Sequence, residues 1–364
     1  MVEQRMILAT LVSKLAGATP CAYIKRVPAD LNDTRKQLRM VPCRACGAKL
    51  FLPGDMAPLS LTQCSKCGEM VMFPMRLRQF ELRSVIASGG MGTVYRAFDT
   101  MLEREVAVKL MKQELIDDPA SVESFGREAR ACASLNHTNI IHIYTFDESD
   151  GHMYLVMELA DQGSLDSRIE AGRVAELDVL DVGIKVASAL DTALKHGLLH
   201  RDIKPGNILF NADGEPKLVD FGLARSTEAE AEQDGSIWGT PYYIAPEKIR
   251  REGEDFLSDM YSLAATLYHA ITRHVPFDAP TTEEVVAAHV HTPLTAPNHV
   301  VPEISQPTSD ALVRAMAKRP EERFQSYDEL SMALHAARSQ YLVGHFRNQQ
   351  QGGVAKGVKG WFRR

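Results

Sequence analysis

The chain has 364 residues, 45% hydrophobic and 24% charged, with a net charge of −6. That length allows two or three domains and a core that needs no covalent staples, and the ordinary charge content excludes wholesale disorder. No apolar run approaches the roughly 18 residues of a membrane-spanning helix. The net charge hides an asymmetry: residues 1–80 carry twelve Lys/Arg and five Asp/Glu, 342–364 carry five basic and no acidic residues, and 81–341 holds a net −18. An acidic body of that size argues against non-specific nucleic-acid binding, and the basic ends read as solvated termini.

Residues 1–40 show no clear period; their apolar stretch, 6–18, is interrupted by Ser13 and Lys14. Residues 41–75 hold Cys43-x2-Cys46 and Cys64-x2-Cys67, with 17 residues between the pairs. Two such pairs suit tetrahedral Zn²⁺, and four thiolates close the site, so a structural zinc ribbon is expected; two disulfides are the alternative. Gly47 and Gly68 follow the pairs and favour tight turns there. Paired thiols fit a reducing compartment, and the cytoplasm is expected. Basic residues around the pairs would tolerate nucleic acid, but few aromatics are present to stack on bases.

From 78 to 341 one long body follows. Strand patterns at 80–86, 93–98 and 105–110 precede helical spacing at Phe125, Ala129, Cys132 and Leu135, then strands at 140–146 and 153–158. Beyond them the periods are helical, at 177–195, 257–271, 283–289, 309–317 and 327–337. This is an α+β pattern: a sheet-rich lobe, then a larger helical lobe, with a cleft between them suited to a ligand. From 342 the Gly, Gln and basic composition predicts a flexible tail ending in Trp361 and Phe362.

Three groups of residues carry chemistry. The loop 87–94, Ala-Ser-Gly-Gly-Met-Gly-Thr-Val, joins two strand patterns and is either a phosphate cradle or a plain hairpin. Lys109 ends an apolar strand, and Glu128 is placed to hold it if it contacts phosphate. The third group decides between these readings: His200-Arg201-Asp202-Ile203-Lys204-Pro205-Gly206-Asn207, then Asp220-Phe221-Gly222. Two carboxylates and an amide on turns supply hard oxygen ligands of the kind Mg²⁺ takes alongside phosphates.

The order of these motifs resembles the protein kinase family, above all the bacterial eukaryotic-like Ser/Thr kinases, over about 78–341. The segment 239–247, the Asp259 helix and the 319–323 run fit the same pattern. The resemblance implies a two-lobed kinase fold, ATP and Mg²⁺, and protein substrates. It implies that Lys109 meets the α/β-phosphates and pairs with Glu128, that Asp202 orients the substrate hydroxyl, and that Lys204 stabilises the transferring group and favours Ser/Thr. Asn207 and Asp220 would hold Mg²⁺. Adenine would lie between Val94 and Ala107 above and Leu209 below, against the backbone of Glu158 and Ala160, with Met157 limiting the pocket's back. Gly89 and Gly92 keep two of the loop's glycines, but Ala87 replaces the first, and a modest change in ATP affinity is expected. Glu247, Arg323 and Asp259 are expected to be structural. Ser236 and Thr227 are the preferred phosphosites of an activation segment that Arg201 would order, with self-association for autophosphorylation. Thr240 is expected to face Asp202 and Lys204; the run Glu228, Glu230, Glu232, Asp234 reads as a solvated loop, with a contact to Arg201 in place of phosphate as the alternative. The alternative is a pseudokinase scaffold recruiting partners through its ribbon.

Overall fold

The computed structural model describes residues 38–221 and 241–357, without the side chains of Glu128 and of residues beyond 345. Cys21, Gly222, the candidate phosphosites Ser226, Thr227 and Ser236, the acidic run 228–234, Thr240 and the terminal aromatics lie outside the described residues. The chain divides into two compact units, one ending at Phe73 and one beginning at Pro74.

The described residues of the first unit form two β-hairpins. β1 (Leu38–Pro42) pairs with β2 (Lys49–Pro53), and β3 (Leu61–Gln63) with β4 (Met70–Met72). Each cysteine pair forms the same knuckle. The Gly47 N–H donates to Cys43 O at 2.8 Å and the Gly68 N–H to Cys64 O at 2.9 Å, with the glycines at φ +69° and +81°. An L side chain is disfavoured at that left-handed angle, which is why glycine follows each pair. Val41, Leu52, Val71 and Phe73 bury around Cys43 and Cys64.

The second unit opens with a six-stranded antiparallel sheet. Its strands are β5 (Met75–Leu77), β6 (Phe80–Ser88), β7 (Gly92–Asp99), β8 (Arg104–Met111), β9 (Ile143–Ser149) and β10 (His152–Met157), in the order β5-β6-β7-β8-β10-β9. Between β8 and β9 runs α1 (Pro119–Ala133). Asp118 caps it by accepting from the Ala120 and Ser121 N–H groups, and Pro119 occupies the first turn, where no N–H is needed. Its Phe125, Ala129 and Cys132 are buried at the expected helical spacing, and the Phe125 ring lies 5.7 Å from that of Phe146.

The pattern at 140–146 becomes a strand from Ile143 onward. Before it, Ile140 bridges to Leu218 and the Ile141 N–H donates to Leu218 O at 3.0 Å, so these residues leave the sheet to tie it to the helical lobe.

That lobe contains α2 (Leu165–Ala171), α3 (Glu176–Lys195), the hairpin β11 (Ile208–Phe210) and β12 (Pro216–Leu218), then α4 (Pro246–Arg250), α5 (Phe256–Thr272), α6 (Thr282–His291), α7 (Gln306–Ala315) and α8 (Tyr327–Gly357). α5 is its buried axis, with Met260, Tyr261, Leu263 and Ala264 inaccessible. α3, α5 and α8 meet at Gly183, where a Cβ would lie 2.7 Å from Leu267 Cδ1 and 3.1 Å from Leu334 Cδ1. Packing selects glycine there, inside a helix where it is otherwise costly. α8 continues past 342, where composition predicts a flexible tail; outside its glycines this run is built from residues that tolerate a helix. No helix among the described residues is long and apolar enough to cross a membrane.

Candidate active site

The residues singled out by sequence gather on three platforms of the second unit. The first is the sheet. β7 and β8 bring Val94 opposite Lys109 and Arg96 opposite Ala107. The 89–92 turn closes with the Gly89 N–H donating to Gly92 O at 2.9 Å. A Cβ on Gly92 would sit 2.4 Å from Leu110 O, so glycine is required there by the approach of β8 itself. Ala87 lies within β6, paired with Val94 in extended backbone that alanine adopts freely.

The second platform is the connection after β10. The Glu158 N–H donates to His142 O at 2.8 Å, so a base would have to use its carbonyl. Its carboxylate is gripped by the buried Lys217, at 2.7 and 2.8 Å. Val94 and Leu209, both half-buried, pack against the apolar cluster that contains Ala107, Met157 and the buried Ala160. These are the residues expected to sandwich a purine.

The third platform is the turn 200–207 with the end of β12. Lys204 Nζ donates to Asp202 Oδ2 at 2.8 Å; Asn207 Nδ2 donates to Asp202 O at 2.7 Å and to its Oδ2 at 3.1 Å. The Val219 N–H donates to Asn207 O at 3.0 Å, which fixes Asp220 beside this knot. Asp220 has φ +55°, a left-handed angle that Asp tolerates better than most residues, and its Oδ1 lies 3.0 Å from Lys109 Nζ. Lys109 thus reaches Asp220 across the lobes, and the neighbouring Val219 N–H ties that residue's backbone to the Asp202–Lys204–Asn207 knot. The expected Lys109–Glu128 pair falls outside the described side chains.

Two residues assigned no chemistry hold this turn in shape. Buried Asp259 on α5 accepts from the His200 and Arg201 N–H groups, at 2.7 and 2.8 Å. Burial pushes its carboxyl up, against the opposing pull of His200 and of these hydrogen bonds. Burial lowers the His200 imidazole. Its Nε2 lies 2.9 Å from Val219 O, an acceptor, and its Nδ1 faces the Asp202 N–H at 3.3 Å, so Nε2 carries the proton. The same ring lies 4.7 Å from that of buried Phe221. A buried Asp within a helix was the sequence signal for this support, but the partners it holds lie 58 and 59 positions away.

Further out, Glu247 on α4 and Arg323 make a buried double ion pair, both contacts 2.7 Å. Burial raises the Glu247 carboxyl, but Arg323 and the Ser258 hydroxyl bring it below its ordinary value.

In the first unit, the four cysteine sulfurs lie within 4.8 Å of one another, with Cys43–Cys67 at 3.6 Å and Cys46–Cys64 at 3.8 Å. A tetrahedral zinc with Zn–S bonds of about 2.3 Å sets its sulfurs about 3.8 Å apart, so the donor set fits that ion. The backbone N–H groups of Lys66 and Cys67 pull the Cys64 thiol down to about 7. Cys67 is drawn down by the Glu69 backbone, but Cys46, burial and the other thiols push it up to about 12. Thiols that resist joint ionisation this way become a stable thiolate set once a cation sits among them.

A sheet over a helical body, linked by a lysine–aspartate contact beside an Asp–Lys–Asn knot, is the architecture of a phosphate-handling cleft. The protein kinase domain family matches residues 80–340, and the chain belongs to that family. It is 37% identical over 283 residues to the serine/threonine-protein kinase PknH of Mycobacterium bovis, covering 77% of this chain and 46% of that protein. It is also 37% identical over 260 residues to PknE of Mycobacterium tuberculosis, covering 71% of this chain and 46% of the relative. The chain therefore spans less than half the length of these relatives. The crystal structure of the Mycobacterium tuberculosis PknI kinase domain superposes with a TM-score of 0.55 at 25% identity, over 72% of this chain and 97% of that one, a likeness of fold. Membership of the family implies ATP and Mg²⁺.

Proposed function

We propose that the protein is a Ser/Thr protein kinase that transfers the γ-phosphoryl group of ATP to hydroxyls of protein substrates. The observation that carries this reading is the knot in which Lys204 and Asn207 hold the Asp202 carboxylate beside Asp220. Phosphoryl transfer asks the protein for position and charge more than for covalent chemistry. Asp202, fixed by two donors, orients the incoming hydroxyl and accepts its proton. Lys204 supplies a cation to the transferring group, and Lys109 to the α/β-phosphates. Asn207 and Asp220 would hold Mg²⁺, which neutralises phosphate charge when bound. Val94, Ala107 and Leu209 enclose adenine, Glu158 and Ala160 contact its edge through backbone, and the loop with Ala87, Gly89 and Gly92 covers the phosphates. Glu128 steadies Lys109. The full set of functional residues disfavours the scaffold reading.

The chain divides into a ribbon at 41–75, in which Cys43, Cys46, Cys64 and Cys67 hold a structural Zn²⁺, and a catalytic domain at 78–341. Segments 1–40 and 342–364 flank them. Paired cysteines of this spacing fit a reducing compartment, the cytoplasm. Autophosphorylation between copies, at Thr227 or Ser236, activates it.

The test is incubation of the full chain with Mg²⁺ and radiolabelled ATP, wild type beside Asp202→Asn. Label on the wild type and a loss of roughly 10²–10⁴-fold in the variant are expected for removal of a proton acceptor. Equal labelling of both would overturn the role of Asp202. Absence of label on the wild type, with ATP bound, would favour the scaffold.

A further inference from the structure

Arg96 was not among the residues that sequence singled out. It stands on β7 two residues after Val94, so both side chains project from the same face of the strand. Across β8 its partner is Ala107. Arg96 thus shares its strand and face with one expected roof residue of the adenine slot and is paired with the other.

Its guanidinium crosses to the opposite lobe. Arg96 Nη2 forms an ion pair with Asp161 Oδ2. Asp161 belongs to the helical lobe by its neighbours. The next residue, Gln162, donates its N–H to Phe210 O at 2.9 Å, and the Phe210 N–H returns to Gly163 O at 2.9 Å. Ser164 bridges to Leu209 itself. The carboxylate is steadied by the Gln162 side chain, which donates to Asp161 Oδ1 at 3.0 Å. On the other side Glu105 Oε2 lies 3.6 Å from Arg96 Nη1 and is itself held by Arg83 at 3.1 Å. Both partners of the pair are mostly sheltered, with side chains 17% and 20% exposed. The inner end of the same connection is tied down separately, by Glu158 to Lys217.

We propose that Arg96 and Asp161 are a latch between the lobes, closing the outer end of the adenine slot and setting how fast nucleotide leaves it. The proposal rests on the kinase reading above. A nucleotide held between the Val94 strand and the Leu209 strand escapes when those strands part, and this ion pair joins the two sides. Arg96 and Asp161 are positioning residues: they hold the slot closed without contacting the phosphates. The pair also restricts the motion by which product departs, a step that limits turnover in many enzymes of this kind of cleft.

The test follows release of a fluorescent ADP analogue from the full chain by stopped flow, together with kcat and KM for ATP. Arg96→Ala and the isosteric Asp161→Asn are each expected to release ADP roughly two- to fivefold faster, the upper part of the range for a single ion pair in contact with solvent. KM for ATP rises by a similar factor and kcat does not fall. The double variant is expected to be no faster than either single one, because both remove the same contact. Arg96→Lys should keep part of the effect. Wild-type release rates in both single variants, or full additivity in the double one, would overturn the latch while leaving the kinase reading intact. A wild-type chain that binds no ADP analogue would overturn the kinase reading and the latch with it.

Discussion

The two units are held by different means. The second builds its helical lobe around α5, a helix buried along most of its length, and seals it with side chains far apart in sequence. Among its described residues the first buries a small cluster, Val41, Leu52, Val71 and Phe73 around two cysteines, with Ala48, Leu50 and Met56 packed against it. A buried cluster that small is of the kind that metals or disulfides usually reinforce. Apolar area secures one unit; in the other, four sulfurs gather into a cage at the tips of two hairpins, where a Zn²⁺ would clamp them. Loss of a single group should therefore have unlike consequences in the two.

The largest contrast comes from the cage. Apparent binding free energies of structural Zn²⁺ reach about 10–16 kcal/mol in small modules, more than such a core supplies. Chelation of the full chain, or Cys43→Ser with Cys46→Ser, is expected to abolish amide-exchange protection across 38–73. The melting of the kinase body should stay unchanged. Protection that survives metal removal would break the comparison, because the hairpins would then stand on their apolar residues. Next in size is the buried pair Glu247–Arg323. Arg323→Met leaves a carboxylate without its partner and is expected to cost about 3–5 kcal/mol, read from the denaturation midpoint of the body. Adding Glu247→Leu should recover much of that loss, because the desolvation cost leaves with the charge. If the single variant were as stable as wild type, the seal would lie elsewhere in the core.

The parts legible in sequence are those whose partners are near in the chain or whose period is regular. The strand pattern at 105–110 and the spacing of Phe125, Ala129 and Cys132 declare β8 and α1, because burial of one face imposes the period. The cysteine pairs and the 200–207 run declare themselves because ligands and turn residues must be close together. What escapes is contact between distant positions. Nothing local marks Arg96 as the partner of Asp161, 65 residues on, or Lys217 as that of Glu158. Residues 140–142 match a strand, yet Ile140 bridges to Leu218 of β12, the Ile141 N–H donates to Leu218 O, and His142 O accepts from the Glu158 N–H. Ala87 is a departure only if the loop glycines serve as sources of backbone freedom. The structure places it in a strand, and the glycine with a steric necessity is Gly92, under the Leu110 carbonyl.

The smallest effect concerns the apolar body, through an imidazole that strongly resists protonation. His289 on α6 is inaccessible, with Nδ1 2.8 Å from the Tyr261 hydroxyl and its ring 4.9 Å from that of Phe277. Burial, then the Lys318 charge, push it from 6.5 down to about 3. Lys318 is itself lowered to about 8 by burial, and its Nζ donates to the backbone carbonyls of Ala288 and His289. The unfolded chain takes up the proton near 6.5 and the folded one does so near 3, so more protons bind on unfolding throughout that window. Stability is complete above 6.5 and falls with pH below it, by about 1.4 kcal/mol per unit for one such group. His200 and His269, also lowered by burial, act with the same sign. Asp259, raised by burial, acts with the opposite sign. His289→Asn keeps an acceptor for the Tyr261 hydroxyl and removes the titration. Between pH 6 and pH 5 its unfolding free energy is expected to slope less steeply than that of wild type by about 1.4 kcal/mol per unit. An identical slope in both proteins would mean that His289 gains its proton in the folded state, and that this part of the core is wetter than its packing implies.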